Sequence, residues 1–193
     1  MAVRSIPYIS EADYLQAERQ AQTKSEYLAG QVFAMAGASF THVQITGNLA
    51  AALHQLLRGS QCIVLSSDMR VKIPEASAYF YPDVVVVCGQ PQFEDEQEDN
   101  LLNPVVIIEV LSPSTEDFDR GEKFLVYQRI PSLKEYLLVA QDRICVEHFI
   151  RQSDGQWLRR WEYTHPEQVV HLESVDADLP VQTVYEGITL TSS

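Results

Sequence analysis

"VVIIEVLSPSTEDFDRGEKFLVY" spans Val105 to Tyr127. Four apolar residues, Val105 to Ile108, run directly into a carboxylate, Glu109. Val110, Leu111, a Ser-Pro break and a helix-like segment carrying Lys123 follow. An earlier stretch, "YPDVVVVC" from Tyr81 to Cys88, is built the same way, with Asp83 ahead of four valines. Continuous β-branched runs of this kind are expected of strands buried on both faces of a sheet. A carboxylate in or beside such a strand costs several kcal/mol unless something compensates it. The two runs therefore predict a central sheet, and the two acids predict a site.

Outward from these strands the pattern changes. Ser10, with Asp13 in the first turn, predicts a short helix reaching about Thr23. "EYLAGQVFAMAG" predicts a hairpin turning at Ala29-Gly30. Ser39 is placed to cap a second helix, with Val43, Leu49, Leu53, Leu56 and Leu57 as its apolar stripe and Gly59 beyond its end. "CIVLSS" and "MRVKI" read as strands, the second stopped by Pro74, with Asp68 and Arg70 as a candidate ion pair at its start. "QPQFEDEQEDN" reads as a solvated acidic loop. Thr115 or Asp119 opens the helix that carries Lys123, and Pro131 closes it. "EYLLVA", "RICVEHFI", "QWLRRWEY" and "QVVHLE" then predict a meander with a turn at Ser153-Asp154-Gly155, followed by a short mixed tail. Helices first and a strand-rich middle with one intervening helix give an α/β chain with a mixed central β-sheet flanked by helices, expected to form one domain over 1–193.

Composition narrows the functional classes. No run approaches the roughly 18 apolar residues of a membrane span. The start, "MAVRSIPYISEADYLQ", has no continuous apolar region of the secretory type. Cys62, Cys88 and Cys145 are far apart and lie in apolar stretches, so all three are expected to be buried, reduced thiols, and the compartment the cytoplasm. Lys and Arg number 14 against 27 Asp and Glu, for a net charge of −13. Such a balance argues against a broad phosphate-binding surface but leaves room for a local, metal-centred one.

The chemistry rests on Asp83 and Glu109. On adjacent strands two unpaired carboxylates would repel, and one would be driven to protonate. A divalent cation removes that conflict, and Mg²⁺ favours one or two carboxylates plus waters. The backbone carbonyl of Val110 is a further candidate ligand. A nearby lysine would steady a metal-bound water or transition-state charge. In the simplest arrangement that lysine stands two residues after the second acid, where this chain has Leu111. Lys123, one or two turns into the following helix, is able to fold back toward the strand end. Ser112 and Ser114 lack a nucleophile elbow, and His54, His148, His165 and His171 lack metal-ligand spacing. Trp157, Trp161, Arg159 and Arg160 are explained by alternating strand faces.

"YPDVVVV", "PVVIIEVLSPSTEDFDRGEKFLVYQ" and "KEYLLV" together resemble the Uma family of restriction-type endonucleases, similar in fold to the PD-(D/E)xK nucleases with the lysine moved from strand to helix. The resemblance runs from "ISEADYLQ" through the C-terminal strands. It implies a restriction-endonuclease-like core, Mg²⁺ or Mn²⁺ as cofactor, and DNA as substrate. Asp83 and Glu109, with Val110, would hold the metal, and Lys123 would be the displaced lysine. Glu26, in "SEYLAGQV", matches the family's early acidic position, and His42, in "GASFTHVQITGNL", its helix histidine. The chain departs from the pattern at Ser132-Leu133, at Leu137 in place of a tryptophan, and at Ala140-Gln141 in place of an aspartate. Two other functions compete with a nuclease: a catalytically inactive dimeric binding or regulatory module on the same scaffold, and an acid/base pair for glycoside chemistry. A homodimer is expected, because one C-terminal strand must form a sheet edge, and Arg120, Lys123 and Arg129 are the expected DNA contacts.

Overall fold

The structure, a computed structural model, describes residues 7–190. Its elements run α1 (Glu11–Glu18), β1 (Ser25–Leu28), β2 (Gln31–Ala34), α2 (Phe40–Leu56), β3 (Cys62–Ser66), β4 (Arg70–Ile73), β5 (Ala78–Phe80), β6 (Val84–Cys88), β7 (Asn100–Leu101), β8 (Val106–Leu111), α3 (Glu116–Arg120), α4 (Glu122–Tyr127), β9 (Glu135–Ala140), β10 (Val146–Arg151), β11 (Trp157–Tyr163), β12 (Val169–Leu172), β13 (Ala177–Pro180) and α5 (Val181–Val184). A six-stranded sheet has the order β11-β10-β9-β8-β6-β3. It is mixed: β8 and β9 run parallel, and the other pairs are antiparallel. The valine run after Asp83 and the apolar run around Glu109 are its neighbouring strands β6 and β8. Glu109 apart, both are apolar because this sheet is covered on both sides.

Alternation along these strands builds two cores. Val84, Val86, Val106, Ile108 and Val110 pack toward Ile45, Leu49 and Leu53 of α2, with Val170, Leu179 and Val184 from the C-terminal segment. Val85, Val87, Ile107 and Leu111 pack the other way, against Phe124 and Tyr127 of α4 and Val71, Ile73 and Phe80 of a second sheet. That second sheet has the order β2-β1-β5-β4-β7. A cluster of Tyr14, Leu15, Tyr27 and Tyr79 seats α1 on it.

Several expectations need correction. α1 ends at Glu18, short of Thr23, where the Glu18 carboxylate turns back to accept from Ser25 N and Oγ. In α2, Val43 and Leu56 are exposed, and Ile45 and Ala52 take their places in the core. The acidic loop is strapped down: Asp95 and Asp99 bind Arg19, Asp99 also binds Arg70, and Glu94 binds Lys72. Arg70 is thus taken from Asp68, which pairs with Lys24. The helix carrying Lys123 is two short helices, because Gly121 breaks it with φ −106° and ψ −101°. The meander stops at β11, and β12 leaves the sheet to pair with β13 in the tail. Cys62 and Cys88, opposite one another on β3 and β6, form a disulfide, and Cys145 alone is a free buried thiol. Widely spaced cysteines gave no hint of a pairing that only the sheet register creates.

Candidate functional site

The register that sets Val84 opposite Ile108 brings Asp83 beside Glu109. Val110 N donates to Asp83 Oδ2 at 2.7 Å, and Asp83 N donates to Glu109 Oε2 at 3.3 Å. Glu109 shares strand parity with Ile107 and Leu111, so it points to the α4 side of the sheet. There its Oε1 accepts from Tyr127 Oη at 3.0 Å and lies 3.0 Å from Lys123 Nζ.

His42 reaches the same place from the other side. Ser39 caps α2 by accepting from His42 N, which fixes the first helical turn at the sheet end. His42 Nε2 lies 2.8 Å from Asp83 Oδ1. Because a carboxylate only accepts, this contact assigns the proton to Nε2. Nδ1 is buried and has no hydrogen-bond partner among the described residues.

Lys123 is enclosed. Its ammonium lies 2.9 Å from Glu26 Oε1, 3.0 Å from Glu109 Oε1 and 3.4 Å from Asp119 Oδ1, so one cation is shared by three carboxylates. Glu26 is itself held by Tyr81 N at 3.0 Å, and Tyr136 Oη donates to the Asp119 carbonyl at 3.0 Å. Glu26, Asp83, Glu109 and Asp119 thus face one lysine and one histidine. Burial pushes the Glu109 carboxyl well above its usual range. Lys123 pulls it down, but Asp119, Asp83 and Glu26 add to the rise. Asp119 is raised for the same first reason, against the pull of Lys123. Burial works against the Lys123 charge, yet Glu109, Glu26 and Asp119 outweigh it and hold the ammonium well above the ordinary lysine value.

The sequence-derived residues Glu26, His42, Asp83, Glu109, Val110 and Lys123 therefore lie in one cluster. Asp119 and Tyr127 were missed. Their signal was available as spacing, since 119, 123 and 127 fall four apart on one helical stripe. The expected cationic DNA-contact row does not form. Lys123 is buried, Arg120 is held by Glu116 and Glu147, and Arg129 donates to the Glu75 carbonyl at 3.1 Å.

The donor set suits a hard divalent cation. Asp83 and Glu109 offer carboxylate oxygens, and the cluster carries more negative charge than Lys123 neutralises. Among the described residues no three His, Cys, Asp or Glu side chains converge as a complete ligand set. Two carboxylates with waters completing the shell is the usual pattern for Mg²⁺.

The same architecture occurs in a crystal structure from Anabaena variabilis described as "a putative nuclease belonging to DUF820", with a TM-score of 0.75 and 15% identity over 94% of this chain and 99% of that one. The fold, α/β with a mixed central sheet flanked by helices, is thus shared with that structure. The Uma2 family profile, described as "Putative restriction endonuclease", matches residues 11–182, and the chain belongs to that family. Two relatives come from Synechocystis sp. (strain ATCC 27184 / PCC 6803 / Kazusa). "Uncharacterized protein sll1609" is 42% identical over 158 residues, 82% of this chain and 89% of its own length. "Uncharacterized protein slr1290" is 34% identical over 182 residues, 94% of each chain.

Proposed function

We propose that this chain is a Mg²⁺- or Mn²⁺-dependent endodeoxyribonuclease that hydrolyses phosphodiester bonds of DNA. The observation that carries the reading is the buried excess of carboxylate charge where Asp83 and Glu109 meet. Asp83 and Glu109, with the Val110 carbonyl, would hold the cation. When bound, such a cation lowers the pKa of a coordinated water and stabilises charge growing on the phosphate. The chain's own residues prepare the site. Val110 N–H and His42 orient Asp83, while Tyr127 and Lys123 orient Glu109. Lys123 neutralises part of the cluster, and it must release one of its three carboxylates before it can donate to a phosphate oxygen. Among the described residues no helix is long and apolar enough to cross a membrane.

A second reading, a non-catalytic binding module, draws support from the saturated Lys123 and the net charge of −13. One experiment separates the readings. Mg²⁺ and Mn²⁺ are titrated calorimetrically into wild type and Glu109→Ala, and both proteins are then incubated with single- and double-stranded DNA. The nuclease reading expects binding and cleavage in wild type and loss of both in the variant. It further expects metal affinity to climb with pH, because a carboxyl with a raised pKa must lose its proton to ligate. Metal binding without cleavage of any DNA form supports the module, and equal binding by both proteins removes Glu109 from the site.

A further inference from the structure

From Tyr27 to Leu57 the chain contains no Asp, Glu, Lys or Arg, in a protein of net charge −13. This stretch includes β2, an edge of the five-stranded sheet that pairs only with β1 among the described residues. Every residue of β2 is exposed, and exposure continues through Phe40. Val32 is 41% exposed, Phe33 43%, Met35 36%, Phe40 82% and Val43 58%, so the edge runs into an apolar patch that reaches the first turn of α2. Natural edges are usually defended by charge, proline or a bulge. β11, the C-terminal strand that forms an edge of the six-stranded sheet, has such defences: Arg159, Arg160 and Glu162, and an irregular register with β10 between His148 and Phe149. β2 has none of them.

We infer that β2 and the apolar residues from Met35 to Val43 form the face on which a second copy of this chain docks, edge to edge. Three observations select this occupant. An antiparallel edge is self-complementary about a two-fold axis, so one strand suffices for both partners. Two chains of net charge −13 repel one another across most of their surfaces, and this uncharged face is where the repulsion is least. Nucleic acid is the poorer fit, because the stretch lacks any lysine or arginine to meet phosphates. The face also borders the carboxylate cluster. Phe33 stands opposite Glu26 in the β1–β2 ladder, and its ring lies 6.3 Å from that of Phe118 in α3. Docking there would brace the hairpin that carries Glu26.

The test is sedimentation of wild type, Val32→Lys and Leu158→Lys at tens of micromolar, with Val32→Cys treated with a short bis-maleimide. Val32 is exposed, so circular dichroism of Val32→Lys should match wild type. The introduced thiol is the accessible one, since Cys62 and Cys88 are joined and Cys145 is buried. The inference expects wild type and Leu158→Lys at twice the monomer mass, Val32→Lys at the monomer mass, and Val32→Cys cross-linked into dimers. A monomeric wild type overturns it. So does a dimer that Leu158→Lys dissociates and Val32→Lys does not, or a Val32→Cys thiol shielded from alkylation only when DNA is added. None of these readouts depends on cleavage, so the inference stands or falls apart from the nuclease reading.

Discussion

Lys123 decides the balance at the residue scale. A buried ammonium with three carboxylate partners is satisfied, but those carboxylates depend on it equally. Removing one partner of a buried ionic network costs about 3–5 kcal/mol, because the remaining charges stay buried and uncompensated. Lys123→Ala leaves Glu26, Glu109 and Asp119 facing one another, and we expect a loss of that size in urea unfolding at neutral pH. The sign of the pH effect follows from the direction of the shifts. Glu109 and Asp119 already titrate above their usual values, so the folded state holds their protons more tightly than the unfolded chain. Without Lys123 they rise further, and the variant should regain stability as pH falls from 8 toward 5. A gap to wild type that stays constant over this range would show that the lysine does not compensate those acids. If the ammonium also reaches the reacting phosphate, cleavage falls by about two orders of magnitude or more, beyond what the unfolded fraction explains.

At the element scale, the Gly121 break sets Lys123 at the start of a new helix. A Cβ there would meet the Asp117 carbonyl oxygen at 2.9 Å, a backbone atom with little freedom to move. Gly121→Ala should therefore destabilise by about 1–3 kcal/mol and weaken metal binding by displacing α4. Gly47 is the control. It lies within α2 with nothing within 4 Å of its missing Cβ, so Gly47→Ala should stabilise by about 1 kcal/mol. Equal effects in thermal melts would mean that the break at 121 carries no packing constraint. This scale also shows how far the sequence could be read. β6 and β8 were legible because valine and isoleucine runs have few alternatives, and Asp83 and Glu109 because charge in such runs demands a reason. Ser10 and Ser39 were legible because their cap hydrogen bonds are local. β5, β7 and β13 were not, since these short strands lack an alternating run or glycine-marked hairpin turn of their own and are specified by their partners. Asp119 and Tyr127 were legible only through their four-residue spacing about Lys123, a weak signal because an acid on a helix is ordinarily a surface residue.

Across the whole molecule, two long-range ties hold the C-terminal hairpin and the β3 edge to the central sheet, and each gives a measurable signature. Glu135, buried at the start of β9, accepts from His148 at 2.5 Å and from Ser174 N at 2.7 Å, which anchors the β12–β13 hairpin. Burial tends to raise its pKa, but those hydrogen bonds prevail and the net shift is downward. A lowered carboxyl contributes stability above its usual value near 4.5 and loses it as pH falls through the folded value. Acid should therefore loosen the hairpin first, seen as early amide exchange at Val170 and Leu179, and Glu135→Gln should flatten that response. The second tie is the Cys62–Cys88 disulfide, which closes a sequence separation of 26 residues between adjacent strands. A loop of that size implies about 3 kcal/mol through restriction of the unfolded chain, or about 10 °C in melting temperature for a chain of this length. In a reducing cytoplasm such a bond would open. The β3–β6 ladder remains when it does, so the reduced form should stay folded at lower stability. Melting with and without dithiothreitol measures the difference, and a Cys62→Ser, Cys88→Ser double variant should match the reduced protein and ignore the reductant. Cys145, buried and unpaired, cannot supply the effect. A wild type whose melting temperature is indifferent to reductant would mean that the β3 edge is held by its ladder and by α2 alone.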